Sequence, residues 1–268
     1  MKPRQAEFPF KPEIHVPKTV KGLISYGALF ALSDSGGKDS QAMRIMLRKI
    51  IPVDQLVIVH AALGRVEWPG TLEHAENGAK RDGIPFIVAR SRKTFFEMVR
   101  HRYAVRPGPN SPCWPSAKNR QCTSDLKRDP ITREVRRLTK KMGIDAVVTC
   151  MGLRAQESHG RAKRDPLNYS VRNSKAGREW WEWLPIHHLT ENQVFQVIEE
   201  AGERPHYAYD LGNDRLSCMF CIMGSENDIR NAAKENPELL AEYAELEVQT
   251  GYTMHQSRRP LREIAGVK

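Results

Sequence analysis

Short apolar runs alternate along the chain with stretches whose apolar positions recur three and four residues apart. Ala28–Leu32, Leu56–Ala62, Ile84–Ala89 and Asp145–Cys150 have the length and β-branched content of buried strands. Pro85 suits the first residues of its strand or a sheet edge. Between these runs, Gln41–Ile50 brings Met43, Ile45, Met46, Leu47 and Ile50 to near-helical spacing. Thr71–Arg81 follows a Pro69-Gly70 turn, and Thr94–Arg102 and Pro130–Met142 are further helices, the last opening on proline. Glu182–Ile186 is predicted as a fifth strand. Thr190–Ala201 is a helix that Thr190 and Gln193 cap and Gly202 ends. Glu226–Gln249 reads as two helices broken at Pro237.

This alternation predicts an α/β fold: a doubly wound, mainly parallel five-stranded sheet covered on both faces. Residues 1–20 are polar and aperiodic and read as an arm. Residues 21–225 form the main domain, with an irregular, Cys-rich basic insertion at about 103–129. Residues 226–268 are a helical C-terminal extension, and no internal repeat is evident. In sheets of this kind ligands bind beyond the carboxyl ends of the strands.

Composition adds a partner to this picture. The 268 residues hold 42 Lys+Arg against 32 Asp+Glu, a net charge of +10. Residues 90–141 alone contain 15 Lys/Arg and 4 Asp/Glu, so one segment carries the whole excess. Concentrated positive charge suits phosphate-rich partners, although a solvated basic helix has the same composition. Arg133, Arg136, Arg137, Lys140 and Lys141 are the candidate nucleic-acid contacts. No apolar run is long enough to cross a membrane and no signal peptide is evident, so a cytoplasmic protein is expected.

The first strand runs into Ser35-Gly36-Gly37-Lys38-Asp39-Ser40 at the start of a helix. Paired glycines let the backbone approach an anion, and amides at a helix N-terminus point at it. Lys38 adds a charge, and Ser35 and Ser40 add hydroxyl donors. This is not the GxxxxGK[ST] loop. The SGGKDS string resembles the signature of the PP-loop ATP pyrophosphatases, the adenine nucleotide alpha hydrolase-like (HUP) group. The resemblance spans about residues 25–225. It implies cleavage of ATP between the α and β phosphates, with Mg²⁺ on the phosphates. Asp34, before the motif, departs from the usual pattern; it either points away or holds Mg²⁺. Gly152-Leu153-Arg154-Ala155-Gln156-Glu157-Ser158, with Arg161 beyond, looks like a loop of the phosphoadenosine phosphosulfate (PAPS) reductase subgroup. Arg154 and Arg161 are expected to clamp phosphate or sulfate. By the same resemblance His60 and Ala61, at the second strand's end, mark where main-chain groups hold adenine. Lys38, Ser35, Ser40 and Arg154 are the expected catalytic residues.

Cys218-Met219-Phe220-Cys221 is a CxxC, and Cys113 and Cys122 lie upstream. Four thiolates suit a tetrahedral Zn²⁺ or a [4Fe–4S] cluster, and spacing does not separate the two. Resemblance to cluster-bearing relatives favours iron–sulfur. Cys150 reads as core, with a sulfur carrier as the sharper alternative. No Cys follows Cys221, so the tail thiol of the sulfonucleotide reductases has no counterpart here. The chain is therefore most similar to the DNA phosphorothioation (Dnd/Ssp-type) branch. That resemblance implies sulfur transfer to a DNA backbone phosphate, with a cysteine desulfurase and other sulfur-modification subunits as partners. A PAPS or adenosine phosphosulfate reductase, a tRNA thiolation enzyme and a zinc-bearing binding module are the alternatives, and a homo-oligomer is left open. Trp180, Trp181 and Trp183 are either base-stacking or core residues. His187 and His188 read as capping or core groups, and Glu67 and Trp68 lie near the expected nucleotide rim.

Overall fold

A computed structural model describes residues 12–105 and 112–267. Residues 1–11 of the expected arm and part of the basic insertion lie outside the described residues. The elements are α1 (Lys18–Tyr26), β1 (Leu29–Ser33), α2 (Lys38–Leu47), β2 (Leu56–Ala62), α3 (Thr71–Asp82), β3 (Phe86–Arg90) and α4 (Phe95–Val105). There follow α5 (Gln121–Thr123), α6 (Asp129–Met142), β4 (Ala146–Met151), α7 (His159–Ala162), β5 (Leu167–Tyr169), β6 (Glu179–Trp183) and α8 (Glu191–Glu200). The chain continues through α9 (Glu226–Glu235), α10 (Pro237–Thr250) and α11 (Leu261–Ala265).

The sheet has six strands in the order β3-β2-β1-β4-β6-β5, parallel except for β5. The chain winds outward from β1 to β3, then crosses to β4 on the other side. The strand order thus reverses between β1 and β4, the switch point beyond whose carboxyl ends sheets of this kind place a ligand crevice. Alternation along β1 feeds two cores: Phe30 and Leu32 pack with α2 and α8 residues, and Leu29 and Ala31 pack with Val135 of α6. Trp183 meets Phe30 edge-on and Trp180 donates to Thr149 Oγ1 at 2.8 Å, so both are core residues and neither is free to stack a base.

Several boundaries differ from expectation. The sheet has a sixth strand, β5, because Leu167–Tyr169 is too short and polar to register as an apolar run. The fifth expected strand lies at Glu179–Trp183 and not Glu182–Ile186, since Pro185 cannot donate to a ladder. The arm gives way to helix α1 at Lys18, and Ile14 and Val16 already pack on the core. Residues 121–128 are helical rather than irregular and run into α6 through a π turn at Ser124–Arg128. Pro130 has no N–H for the Leu126 carbonyl and its ring crowds that group, so the wider turn relieves the clash. α9 and α10 break at Pro237 as expected, with Asn236 Oδ1 accepting from Leu239 N at 2.9 Å.

A further core lies to one side of the sheet. Tyr243 of α10 is buried among Phe95, Phe96, Trp114 and Phe220. The C-terminal helices thus share an interior with α4, the Cys113 segment and the CxxC. No helix among the described residues is long and apolar enough to cross a membrane.

Candidate functional site

The turn after β1 is held by its own carboxylate. Asp34 Oδ1 accepts from Gly36 N and from Ser40 Oγ, both at 2.8 Å. Asp34 therefore turns into the loop and does not point away from it. Ser35 N donates to Ser40 Oγ at 3.2 Å. Gly36 has φ +74, and a Cβ there would stand 2.8 Å from Thr71 Cγ2 and 2.9 Å from Thr71 O. Only glycine meets both demands.

Lys38 begins α2 and is 2 % exposed. Its Nζ donates to Asp214 O at 3.1 Å and pairs with Glu191 Oε1 at 3.1 Å. Tyr209 and Phe195 rings lie beside it at 5.1 and 5.8 Å. Burial works against the charge, but Tyr209, Asp39 and Glu191 outweigh it and hold the ammonium above the usual lysine range. Tyr209 OH also accepts from Lys38 N at 3.1 Å and Leu216 N at 3.2 Å. The segment 206–216 thus folds over the glycine turn. Glu191, Phe195, Tyr209 and Asp214 were not singled out from sequence. They sit on a helix face and an aperiodic loop, where spacing marks nothing.

The loop after β4 docks on this turn. A Cβ on Gly152 would lie 2.9–3.0 Å from the backbone of Asp39 and Ser40, so the two chains touch. Arg154 is 4 % exposed. Its Nε donates to Asp39 Oδ1 and its Nη1 to Gln156 Oε1, while Arg154 N is held by Glu157 Oε2. The expected partners Gly36, Gly37, Lys38, Asp39, Ser40, Gly152 and Arg154 therefore converge. Arg161 does not join them: its guanidinium pairs with Glu157, and its carbonyl accepts from His187 Nε2 at 2.9 Å.

At the end of β2, His60 is fully buried and its Nδ1 donates to Asp34 O at 2.9 Å. This tautomer leaves Nε2 without a hydrogen-bond partner, 3.4 Å from Glu67 Oε1. Glu67 also accepts from Leu63 N at 2.8 Å and pairs through its backbone with Cys218. Ala61 is buried in the sheet beside Ala89. Trp68 is core, and its carbonyl accepts from Thr71 Oγ1 at 2.8 Å.

The cysteines divide. Cys122, Cys218 and Cys221 lie in electrostatic reach of one another and of Lys127. Burial pushes the Cys218 thiol up to about 12 despite the Lys127 charge. Cys113 is fully buried and hydrogen-bonds the Thr250 side chain. Among the described residues no three His, Cys, Asp or Glu side chains group as metal ligands. The residues as placed do not fit the expected four-thiolate site. Cys150 is fully buried in β4 with its thiol pushed far up by burial, in keeping with a core role.

Known proteins give this geometry a context. The phosphoadenosine phosphosulfate reductase domain model matches residues 30–223. An uncharacterized 37.8 kDa protein of Escherichia phage 186 is 31% identical over 134 residues, covering 50% of this chain and 39% of its own. An uncharacterized protein of Methanocaldococcus jannaschii is 26% identical over 219 residues, covering 79% and 41%. The chain thus spans about two-fifths of the length of these relatives. Among solved structures, PAPS reductase from Candida auris aligns at 15% identity and TM-score 0.45, covering 77% of this chain and 98% of that one. FMN adenylyltransferase from Candida glabrata aligns at 12% and 0.48, covering 76% and 57%. The family match takes in both loops of the crevice, and the chain belongs to the phosphoadenosine phosphosulfate reductase domain family.

Proposed function

We propose that the chain binds ATP in the crevice between β1 and β4, cleaves it between the α and β phosphates, and activates a DNA backbone phosphate for sulfur transfer. The observation that carries this reading is the joining of two loops far apart in sequence. Arg154 is bonded to Asp39, and Gly152 rests on the Asp39–Ser40 backbone.

In this reading a non-bridging oxygen of the acceptor phosphate attacks the α phosphorus of ATP. The bond from that phosphorus to its β-bridging oxygen breaks, and pyrophosphate leaves with the electron pair. The acceptor then carries AMP. A partner's cysteine persulfide is first cleaved by a thiol reductant, which becomes a disulfide and frees the outer sulfur as hydrosulfide. That hydrosulfide attacks the activated acceptor phosphorus. A P–S bond forms as the bond to the oxygen shared with AMP breaks, and AMP departs with that oxygen and the electron pair.

The start of α2 favours the charge on the departing group through its helix dipole. Lys38 exchanges Glu191 for pyrophosphate, and Arg154 fixes Asp39 and the rim. Mg²⁺ on the phosphates supplies charge neutralisation when bound, with Asp34 and Asp39 the carboxylates at that rim. No step runs through an iron–sulfur or zinc site, because among the described residues no three His, Cys, Asp or Glu side chains group as metal ligands.

Pyrophosphate release from ATP in the presence of duplex DNA tests the reading. Lys38→Ala and Arg154→Lys should each lower release by about 100-fold or more, the scale of a lost charge-stabilising contact. Release equal to wild type from both variants overturns it. So does sulfite release from a sulfonucleotide by a wild-type chain that frees no pyrophosphate from ATP.

A further inference from the structure

The cations of the molecule are not equally available. A cleft of about 390 Å³ lined by Asp34 holds Arg44, Arg81 and Arg204, and Asp82 and Glu203 pair with the first two. A cleft of about 680 Å³ between α6 and the segment 171–178 differs. Arg136, Arg137 and Lys140 of α6 line it together with Arg172, Lys175 and Arg178. Asp129 is the carboxylate in its wall, 3.3 Å from Arg172. Among the described residues Lys140, Lys175 and Arg178 have no ion-pair partner, and the buried Nε atoms of Arg136 and Arg178 have no hydrogen-bond partner. Arg137 pairs with Glu134 at 3.0 Å and Arg172 with Asp129, but their side chains are 68% and 63% exposed.

A neighbouring cleft, of about 730 Å³, shares Asp129 and Arg133 with the 680 Å³ cleft and adds Arg92, Lys93 and Arg102 beside the carboxylate of Asp125. The two form a track along α6, a helix of 14 residues and so about 21 Å long. That length spans about six base-pair steps of a duplex. The walls carry no Trp, Tyr or Phe side chain, and His101 is the one aromatic ring among the described residues that line them. Many charges beside a single imidazole match a phosphodiester backbone better than a row of exposed bases.

We infer that this track binds the backbone of a nucleic-acid duplex, and that Arg172, Lys175 and Arg178 form the wall opposite α6. The inference rests on the reading that the acceptor is DNA, and it names the surface that holds it. Three of the cations lie outside the basic stretch at 90–141. Lys141 drops out, because one residue of helix turns it about 100° from Lys140.

The full chain is titrated with a fluorescent 20-base-pair duplex at several salt concentrations, without ATP, so the outcome is independent of the phosphate loop chemistry. Lys140→Gln/Arg172→Gln/Lys175→Gln alters exposed side chains only. It should weaken binding at least tenfold near 0.1 M salt and flatten the log–log salt slope by about 2 to 3. A control triple at the exposed Lys18, Lys21 and Lys49 should bind as wild type. Thermal unfolding verifies that both triples fold. No duplex binding by wild type, equal loss in both triples, or an unchanged slope overturns the inference. So does a greater loss of binding to phosphatidylserine vesicles than to the duplex.

Discussion

Two glycines set the tolerances of the crevice. Gly36→Ala puts a Cβ at positive φ against the Thr71 carbonyl, and Gly152→Ala puts one against the Asp39–Ser40 backbone. Neither neighbour is a flexible side-chain end, so both substitutions should shift the turn. Nucleotide affinity, measured by calorimetry, should fall at least tenfold in each, while far-UV circular dichroism stays unchanged. Tyr243 is the contrasting case. Its hydroxyl is buried without a hydrogen-bond partner among the described residues, while its ring fills an aromatic pocket. Tyr243→Phe removes an unmet polar group and should hold or raise stability by up to about 1 kcal/mol. Tyr243→Ala should cost about 3–5 kcal/mol in denaturant unfolding. The SGGKDS and GLRAQES strings were legible because anion binding demands glycine, hydroxyl and guanidinium at fixed offsets. Tyr209, Glu191 and Tyr243 were not, since their roles depend on what packs across from them.

At the scale of elements, the segment 206–216 governs the cover over the phosphate loop. Tyr209→Phe leaves the amides of Lys38 and Leu216 without their acceptor. It should cost about 1–3 kcal/mol and raise amide hydrogen exchange in this segment and the first turn of α2. The same cover is anchored by histidine. His206 Nε2 donates to Pro69 O at 3.0 Å, and its ring meets His74 of α3 edge-on. Burial holds both imidazoles below the usual histidine range. The folded state then binds fewer protons than the unfolded chain, so stability is present above the ordinary histidine pKa and lost as pH falls through it. Melting temperature should drop between about pH 7 and pH 5, and His74→Asn should flatten that profile. The strands β1 to β4 were legible as apolar runs, because parallel strands are buried on both faces. β5 and the helical turn at Gln121–Thr123 were not, since their length and polarity match those of loops.

The whole molecule distributes its tasks around one sheet: glycine turn and arginine loop at the switch point, cysteines beside the C-terminal helices, cationic track along α6. Sequence order predicted the winding, but the net charge did not reveal that its cleft draws on residues 172–178 as well as 133–140. The distances in sequence that the crevice spans have a kinetic meaning. Asp39 meets an arginine 115 positions away, and Lys38 meets a carbonyl 176 positions away. Such contacts close only after the intervening strands have paired, because loop-closure entropy delays long-range contacts. The crevice is therefore expected to form late, after the folding transition state. A bound nucleotide should slow unfolding in stopped-flow denaturant jumps and leave the refolding rate unchanged. Faster refolding with nucleotide would place the crevice early instead.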